Sequence, residues 1–215
     1  LTELTDPDRL RESVLRLVAK GARGGTEGDV LRMEPQQVAA ALARSVCRGD
    51  HEARPARLHW AMLDKRRELY QFELADAVLQ DAFAGLLTSR LESAFSDRLH
   101  SYRAGRSART AIESFLSYLR QHRRTVVDPR QRGLYVVRAD VKSYGESIPM
   151  NAGSPLWSDL RERLGPVSIE EWRLIESLIR PTILRGADGE ASPLRGLPTG
   201  SPLGTAIANL YLMAL

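Results

Sequence analysis

The sequence predicts an α+β fold in which helices frame a small antiparallel sheet. Three observations predict it. Apolar residues recur at helical spacing in most segments, two short runs are alternating or β-branched, and glycine and proline punctuate the joins. At 215 residues the chain is long enough to bury a sizeable core, as one large domain or two lobes.

The elements follow in order. Asp6-Pro7 reads as a cap followed by a proline at the first helical position, with Leu10, Val14, Leu17 and Val18 behind it at helical spacing. Gly21 to Gly28 reads as a linker, because it lacks the strand-before, helix-after setting of a phosphate-binding loop. A second helix spans Pro35 to Cys47, and residues 48–66, with Pro55 and many charges, read as irregular. Residues 67–72 alternate as a strand, and a long amphipathic helix over 73–95 lines up Leu74, Val78, Ala82 and Leu86. Another helix covers 107–122. Residues 133–141, Gly-Leu-Tyr-Val-Val-Arg-Ala-Asp-Val, give the clearest strand. Helices near 155–164 and 169–179, a hairpin over 183–195 turning at Ala187-Asp-Gly189, and a last helix from Gly200 or Ser201 complete the chain.

Composition narrows the function classes. One cysteine, Cys47, excludes a disulfide framework and a cysteine metal cluster, and the four histidines show no metal-ligand spacing. No leader-like start and no apolar run long enough for a bilayer is present, so a cytoplasmic protein without a membrane partner is expected. The net charge of +4 is concentrated: residues 98–132 hold nine arginines against Glu113 and Asp128, a local balance of +7. Arginine forks suit phosphate, which makes a polyanion the expected partner of that window.

Three constellations carry chemistry. Asp140 leaves the apolar run Val136-Val-Arg-Ala-Asp140-Val141, where a carboxylate at a sheet rim suits Mg²⁺. Arg195-Gly-Leu-Pro-Thr-Gly-Ser-Pro-Leu-Gly204 fixes an unusual loop before a helix, with Gly200 allowing close backbone approach and Thr199 and Ser201 supplying hydroxyls. His100-Ser-Tyr-Arg-Ala-Gly-Arg-Ser107 sets Arg103 and Arg106 around a glycine, in the manner of a phosphate clamp, with Tyr102 available for stacking.

These strings resemble the motifs of reverse transcriptases. Ala139-Asp-Val-Lys-Ser-Tyr-Gly-Glu-Ser-Ile148 resembles their first palm motif, and Gly196-Leu-Pro-Thr-Gly-Ser-Pro-Leu with Ala208-Asn-Leu-Tyr-Leu212 resembles the second. Tyr102-Arg-Ala-Gly-Arg-Ser107 is similar to a fingers motif of the bacterial group II intron-like enzymes. Arg67-Glu-Leu-Tyr and Ala75-Asp-Ala-Val-Leu-Gln80 resemble the fingers strand and helix before it. The resemblance covers about residues 54–215 and implies a right-hand polymerase: an N-terminal helical extension over 1–50, fingers over 51–132 and a partial palm over 133–215.

The resemblance further implies RNA-directed DNA synthesis by two Mg²⁺ ions, with deoxynucleoside triphosphates, an RNA template and a DNA or RNA primer as partners. Asp140 would bind both ions and the Val141 carbonyl one of them. Lys65 and Arg67 would hold the triphosphate. Tyr144, Gly145, Pro198, Thr199, Gly200 and Ser201 would line the nucleotide, and Tyr102, Arg103, Arg106, Arg123 and Arg124 would follow the nucleic-acid backbone.

Departures from the family qualify these expectations. The Asp-Asp hairpin that normally follows the second palm motif does not occur before Leu215, so the chain reads as C-terminally truncated and is expected to be inactive by itself. Gly145 stands where the family has an aromatic beneath the sugar 2′ position, and Thr199 replaces a glutamine beside it. Relaxed sugar discrimination, or a pocket in which Tyr144 takes over, is expected. Ile148-Pro149 replaces the usual Ile-Asp, which fits a specialised bacterial lineage such as a phage-defence or CRISPR-associated enzyme. The alternatives are a non-catalytic nucleic-acid-binding remnant and a template-independent or protein-primed polymerase.

Overall fold

The structure is a computed structural model that describes residues 3–20, 29, 32–62, 66–131, 133–186, 189–192 and 194–213. The predicted linker at Gly21 to Gly28, Lys65, and the hairpin tip at Ala187 and Asp188 lie outside the described residues. The architecture is α+β. Helices α1 (Pro7–Ala19) and α2 (Pro35–Cys47) precede an antiparallel pair, β1 (Ala56–Met62) and β2 (Arg66–Gln71). Then come α3 (Leu74–Leu91), α4 (Ala108–Thr125), the single turn α5 (Tyr144–Ser147), α6 (Pro155–Leu164) and α7 (Ile169–Ile179). Strands β3 (Ile183–Arg185) and β4 (Glu190–Ser192) and helix α8 (Gly204–Met213) close the order.

Local chemistry explains where helices begin. The Asp6 carboxylate accepts the Asp8 amide at 3.0 Å with Pro7 behind it, and Ser154 caps α6 in the same way ahead of Pro155. Ser168 and Glu171 form a reciprocal capping box on α7. Helix α3 has no side-chain cap, and burial holds it instead. Val78, Leu79, Ala82, Phe83, Leu86, Leu87 and Leu91 are all buried, and each large side chain contributes roughly 1.5–3 kcal/mol. It is the central post of the fold, in contact with α1, α6, α7 and α8.

Three polar residues on α3 are buried among these apolar ones, and each is satisfied. Asp76 accepts from His51 Nε2 and the Arg54 amide, both at 2.8 Å, and so pins the chain entering β1. Asp81 accepts from Arg16 at 2.9 Å and ties α1 down. Gln80 donates to the Leu178 carbonyl at 3.0 Å, at the end of α7. Buried polar groups without such partners would cost about 1–3 kcal/mol each, so these residues fix which segment lies against which face of α3.

The sheet differs from expectation in two ways. Its order is β2-β1-β3-β4, and β1 pairs with β3 in parallel, so it is mixed rather than antiparallel. Residues 56–62, expected to be irregular, form β1. Their alternation is diluted by Arg57 and His59, and the Arg66 guanidinium covers Trp60 at 4.0 Å from across the hairpin. A small cluster of Ala56, Phe72 and Ile183 holds the sheet beside the main core.

Residues 133–141 are the larger correction. They form no strand: the segment pairs with no other backbone among the described residues, and Tyr135 is 100% exposed with Val136 and Val137 also in solvent. Side-chain propensity describes half of a strand. The other half is a neighbouring ladder of amides and carbonyls, and the described residues offer none there. Asp140 is therefore not at the rim of a sheet.

Helix α4 also stands apart. It buries no residue, and Ile112, Phe115, Leu116 and Tyr118 are exposed. Its start is secured by the Ser107–Thr110 capping box, worth about 1 kcal/mol. No helix among the described residues is long and apolar enough to cross a membrane.

Candidate functional site

The four motif-bearing segments are far apart in the chain and meet around the loop before α8. Gly196 opens this loop at φ +65° and Gly200 lies at its tip at φ +100°. The Leu197 amide donates to the Gly145 carbonyl at 2.8 Å, which docks the loop on the α5 turn. The Tyr70 amide at the end of β2 donates to the Thr199 carbonyl at 2.9 Å. A Cβ on Gly200 would stand 3.1 Å from the Tyr70 carbonyl oxygen, so the loop backbone lies directly on β2.

Further contacts bring in the remaining segments. The Tyr144 hydroxyl donates to the Ala208 carbonyl at 2.8 Å, and Asn209 Nδ2 donates to the Ser101 carbonyl at 3.0 Å. Helix α8 thus holds both the first palm-like string and the Tyr-Arg-Ala-Gly-Arg-Ser string. Tyr102 and Ser143 are the two described non-glycine residues with left-handed backbones, at φ 57° and 51°. Each sits inside one of these strings, and such strain persists only where the surroundings hold it.

The residues expected to line a nucleotide divide into anchors and a tip. Pro198 is buried, while Thr199 and Gly200 are exposed. Ser201 is turned inward: its hydroxyl donates to Gln80 Oε1 at 3.1 Å and accepts the Leu203 amide at 3.2 Å. Gly145 has open space where a Cβ would project. Tyr144 does not fill it, because its hydroxyl is engaged on α8 and its ring packs against the core.

Beside the loop, the Tyr70 hydroxyl donates to Glu68 at 3.0 Å, and Arg185 approaches Glu68 at 3.6 Å. Burial raises the Tyr70 pKa, with the Glu68 hydrogen bond and charge adding and Arg185 opposing. Tyr144 is also raised, first by burial and then by Tyr211. Both phenols stay protonated and act as donors at neutral pH.

The Tyr102–Ser107 string is organised differently from a phosphate clamp. The Arg103 side chain is 4% exposed and donates to Glu92 at 2.6 Å, to the Ser96 carbonyl at 2.7 Å and to the Leu99 carbonyl at 3.0 Å. Its guanidinium also lies 5.3 Å from the Phe95 ring. Arg103 therefore ties together the turn after α3, and its donors are not free for phosphate. Arg106 donates to the Asp97 carbonyl at 2.9 Å and remains partly exposed. Arg123 and Arg124, at the end of α4, are exposed and carry no side-chain hydrogen bond or ion pair among the described residues. Tyr102 is likewise exposed. The backbone of Arg67 pairs with Ala61 in the hairpin.

Hydrogen bonding from Arg103 holds the Glu92 carboxyl below its ordinary value against partial desolvation, and the Arg103 and Arg106 charges add. A lowered folded pKa means that this pairing stabilises fully above the ordinary glutamate value of 4.5 and is lost as pH falls through the lowered one. Melting temperature measured from pH 7 to pH 3 should show an acid limb that is shallower in Glu92→Gln. An unchanged limb in that variant would contradict the pairing.

Mg²⁺ is a separate matter. Asp140 and the Val141 carbonyl are the expected donors, and Asp140 is exposed, with no hydrogen bond or ion pair among the described residues. Among the described residues no three histidine, cysteine or acidic side chains gather into a metal-holding group. One carboxylate and one carbonyl do not make a two-metal site, so these residues alone do not fit the pair of ions that the resemblance implies.

Several residues of the site were not singled out by sequence. Gln80, Glu68, Tyr70 and Arg185 are the clearest. A usable signal existed for Gln80, a polar residue embedded in the apolar run of α3. Compared with models of known protein families and with curated proteins, the sequence matches none.

Proposed function

We propose that this chain forms the fingers and first part of the palm of a reverse transcriptase, which in the natural protein directs DNA synthesis on an RNA template. The observation that carries the reading is the docking described above. Segments that resemble separate polymerase motifs meet at the Gly196–Gly204 loop, through Leu197–Gly145, Thr199–Tyr70 and Gly200–Tyr70 contacts, and at helix α8, through the Asn209–Ser101 hydrogen bond just before the Tyr102–Ser107 string.

In this reading the Thr199–Gly200 tip is the floor under the incoming nucleotide, and the open space over Gly145 lies on its sugar side. The arginines of α4 and the turn after it face the nucleic-acid backbone, where exposed guanidinium groups serve as phosphate contacts. Asp140 is the carboxylate on which the chemistry depends.

The test is primer extension on an RNA template with deoxynucleoside triphosphates and Mg²⁺, using the natural protein that carries this chain. Wild type should extend the primer, and Asp140→Asn should lower the rate by roughly a hundredfold or more. Extension at the wild-type rate by Asp140→Asn would remove the reading. A second reading, a nucleic-acid-binding module without catalysis, is favoured because Asp140 joins no metal-holding group among the described residues, while Arg123 and Arg124 are exposed at the end of α4. Salt-sensitive binding of primer–template by a wild-type protein that extends nothing would select it.

A further inference from the structure

Ser201 and Gln80 join the loop to the interior. Gln80 is 1% exposed and uses both ends of its amide: Nε2 donates to the Leu178 carbonyl at 3.0 Å and Oε1 accepts the Ser201 hydroxyl at 3.1 Å. Ser201 in turn accepts the Leu203 amide at 3.2 Å, at the entry to α8. On the other side of the tip, the Leu197 amide is fixed on Gly145, and Tyr70 holds the Thr199 carbonyl between the two anchors. Removing the Gln80 link would free one end of a loop whose other end stays docked. The exposed Thr199–Gly200 backbone would then lose its fixed height above β2.

We infer that Gln80, acting through Ser201, is a positioning residue that sets the nucleotide-facing tip of the Gly196–Gly204 loop. The inference rests on the polymerase reading for what the tip contacts, but the geometry of the tip can be read without catalysis. Ser201 is thus an anchor whose hydroxyl faces inward, and it contributes to nucleotide binding by holding Thr199 and Gly200. A side chain that both donates and accepts is required at position 80. Glutamate can accept from Ser201 and cannot donate to the Leu178 carbonyl, and methionine fills the space and does neither well.

The experiment compares Ser201→Ala, Ser201→Thr, Gln80→Met and the double variant Gln80→Met with Ser201→Ala. Amide hydrogen exchange is read at Tyr70, whose proton is held by the Thr199 carbonyl, and at Leu87 in the core of α3. Steady-state kinetics with deoxynucleoside triphosphate are read in parallel, on the natural protein that carries this chain. Ser201→Ala should speed exchange at Tyr70 by about five- to tenfold while Leu87 stays protected. It should raise KM for the nucleotide by a similar factor with kcat within about twofold. Ser201→Thr keeps the hydroxyl and should restore both. The double variant should match the more affected single variant, because both break one link.

Wild-type exchange at Tyr70 in Ser201→Ala overturns the inference, whatever the kinetics. If Gln80→Met fails to fold, the Ser201 pair decides the matter. Faster Tyr70 exchange in a protein with no nucleotidyl transfer supports the anchor and removes the polymerase reading.

Discussion

Replacing Gly196 with alanine is expected to cost roughly 3–5 kcal/mol and to undock the loop from α5. A Cβ at this position would collide with the Gly145 carbonyl oxygen and the Glu146 Cα. Both obstacles are backbone, so no rotamer change relieves them. The residue also holds φ +65°, where a side chain adds strain of its own. Relief requires the loop to lift, which breaks the Leu197–Gly145 hydrogen bond and disturbs the buried Leu197 and Pro198 beside it. Urea unfolding measures the cost. Gly145→Ala is the matched control: nothing stands within 4 Å of its would-be Cβ, so stability should change by no more than about 0.5 kcal/mol. Equal stability of the two variants would show that the loop does not pack on α5 as described.

The second large effect separates arginines that look alike in sequence. Arg103→Leu should lower the melting temperature by roughly 10 °C, because it removes the donors to Glu92, Ser96 and Leu99 together and leaves two carbonyls and a carboxylate unpaired. It should leave the salt dependence of nucleic-acid binding as in wild type, measured where the variant is folded. Arg123→Ala with Arg124→Ala should do the reverse. Stability should hold within a few degrees, and the slope of log affinity against log salt should fall by about one to two units. A flattened salt slope in Arg103→Leu would return that residue to the phosphate contacts.

The contrast shows where sequence reading works on this chain and where it stops. Asp6-Pro7 marks a helix start because caps act over two or three residues, and α1 begins there; Ser154 and the Ser168–Glu171 pair cap α6 and α7, whose spans the apolar spacing predicts. Non-local pairing carries no such local mark. Residues 133–141 have a strand's side chains and no partner backbone, and Arg57 and His59 obscured a strand whose partners are β2 and the sequence-distant β3. The parallel register of Ala56 with Ile183 has no signature in either segment.

The candidate site divides along the same line. The unusual loop, its glycines and its hydroxyls stood out, because glycine and proline at fixed offsets restrict a backbone by themselves. Their roles did not stand out. Arg103 beside a glycine reads as a clamp on phosphate until Glu92 is seen against it. Ser201 reads as a ligand-facing hydroxyl until Gln80 Oε1 is seen to accept its hydrogen bond. Both partners are fixed by the packing of α3, which spacing within a loop does not encode.

The parallel pairing of β1 with β3 has a consequence for how the chain folds. The β1–β2 hairpin can close early, since its strands are neighbours in sequence. Strand β3 can join β1 only by closing a ring of more than a hundred residues, for two paired residues at Ala56 and Arg57, so its loop-closure cost is far larger than the hairpin's. Ile183, which joins Ala56 and Phe72 in the small cluster, is the apolar contact that offsets this cost. The loop that rests on Tyr70 follows β4 in the chain, so the candidate site depends on the same long-range closure.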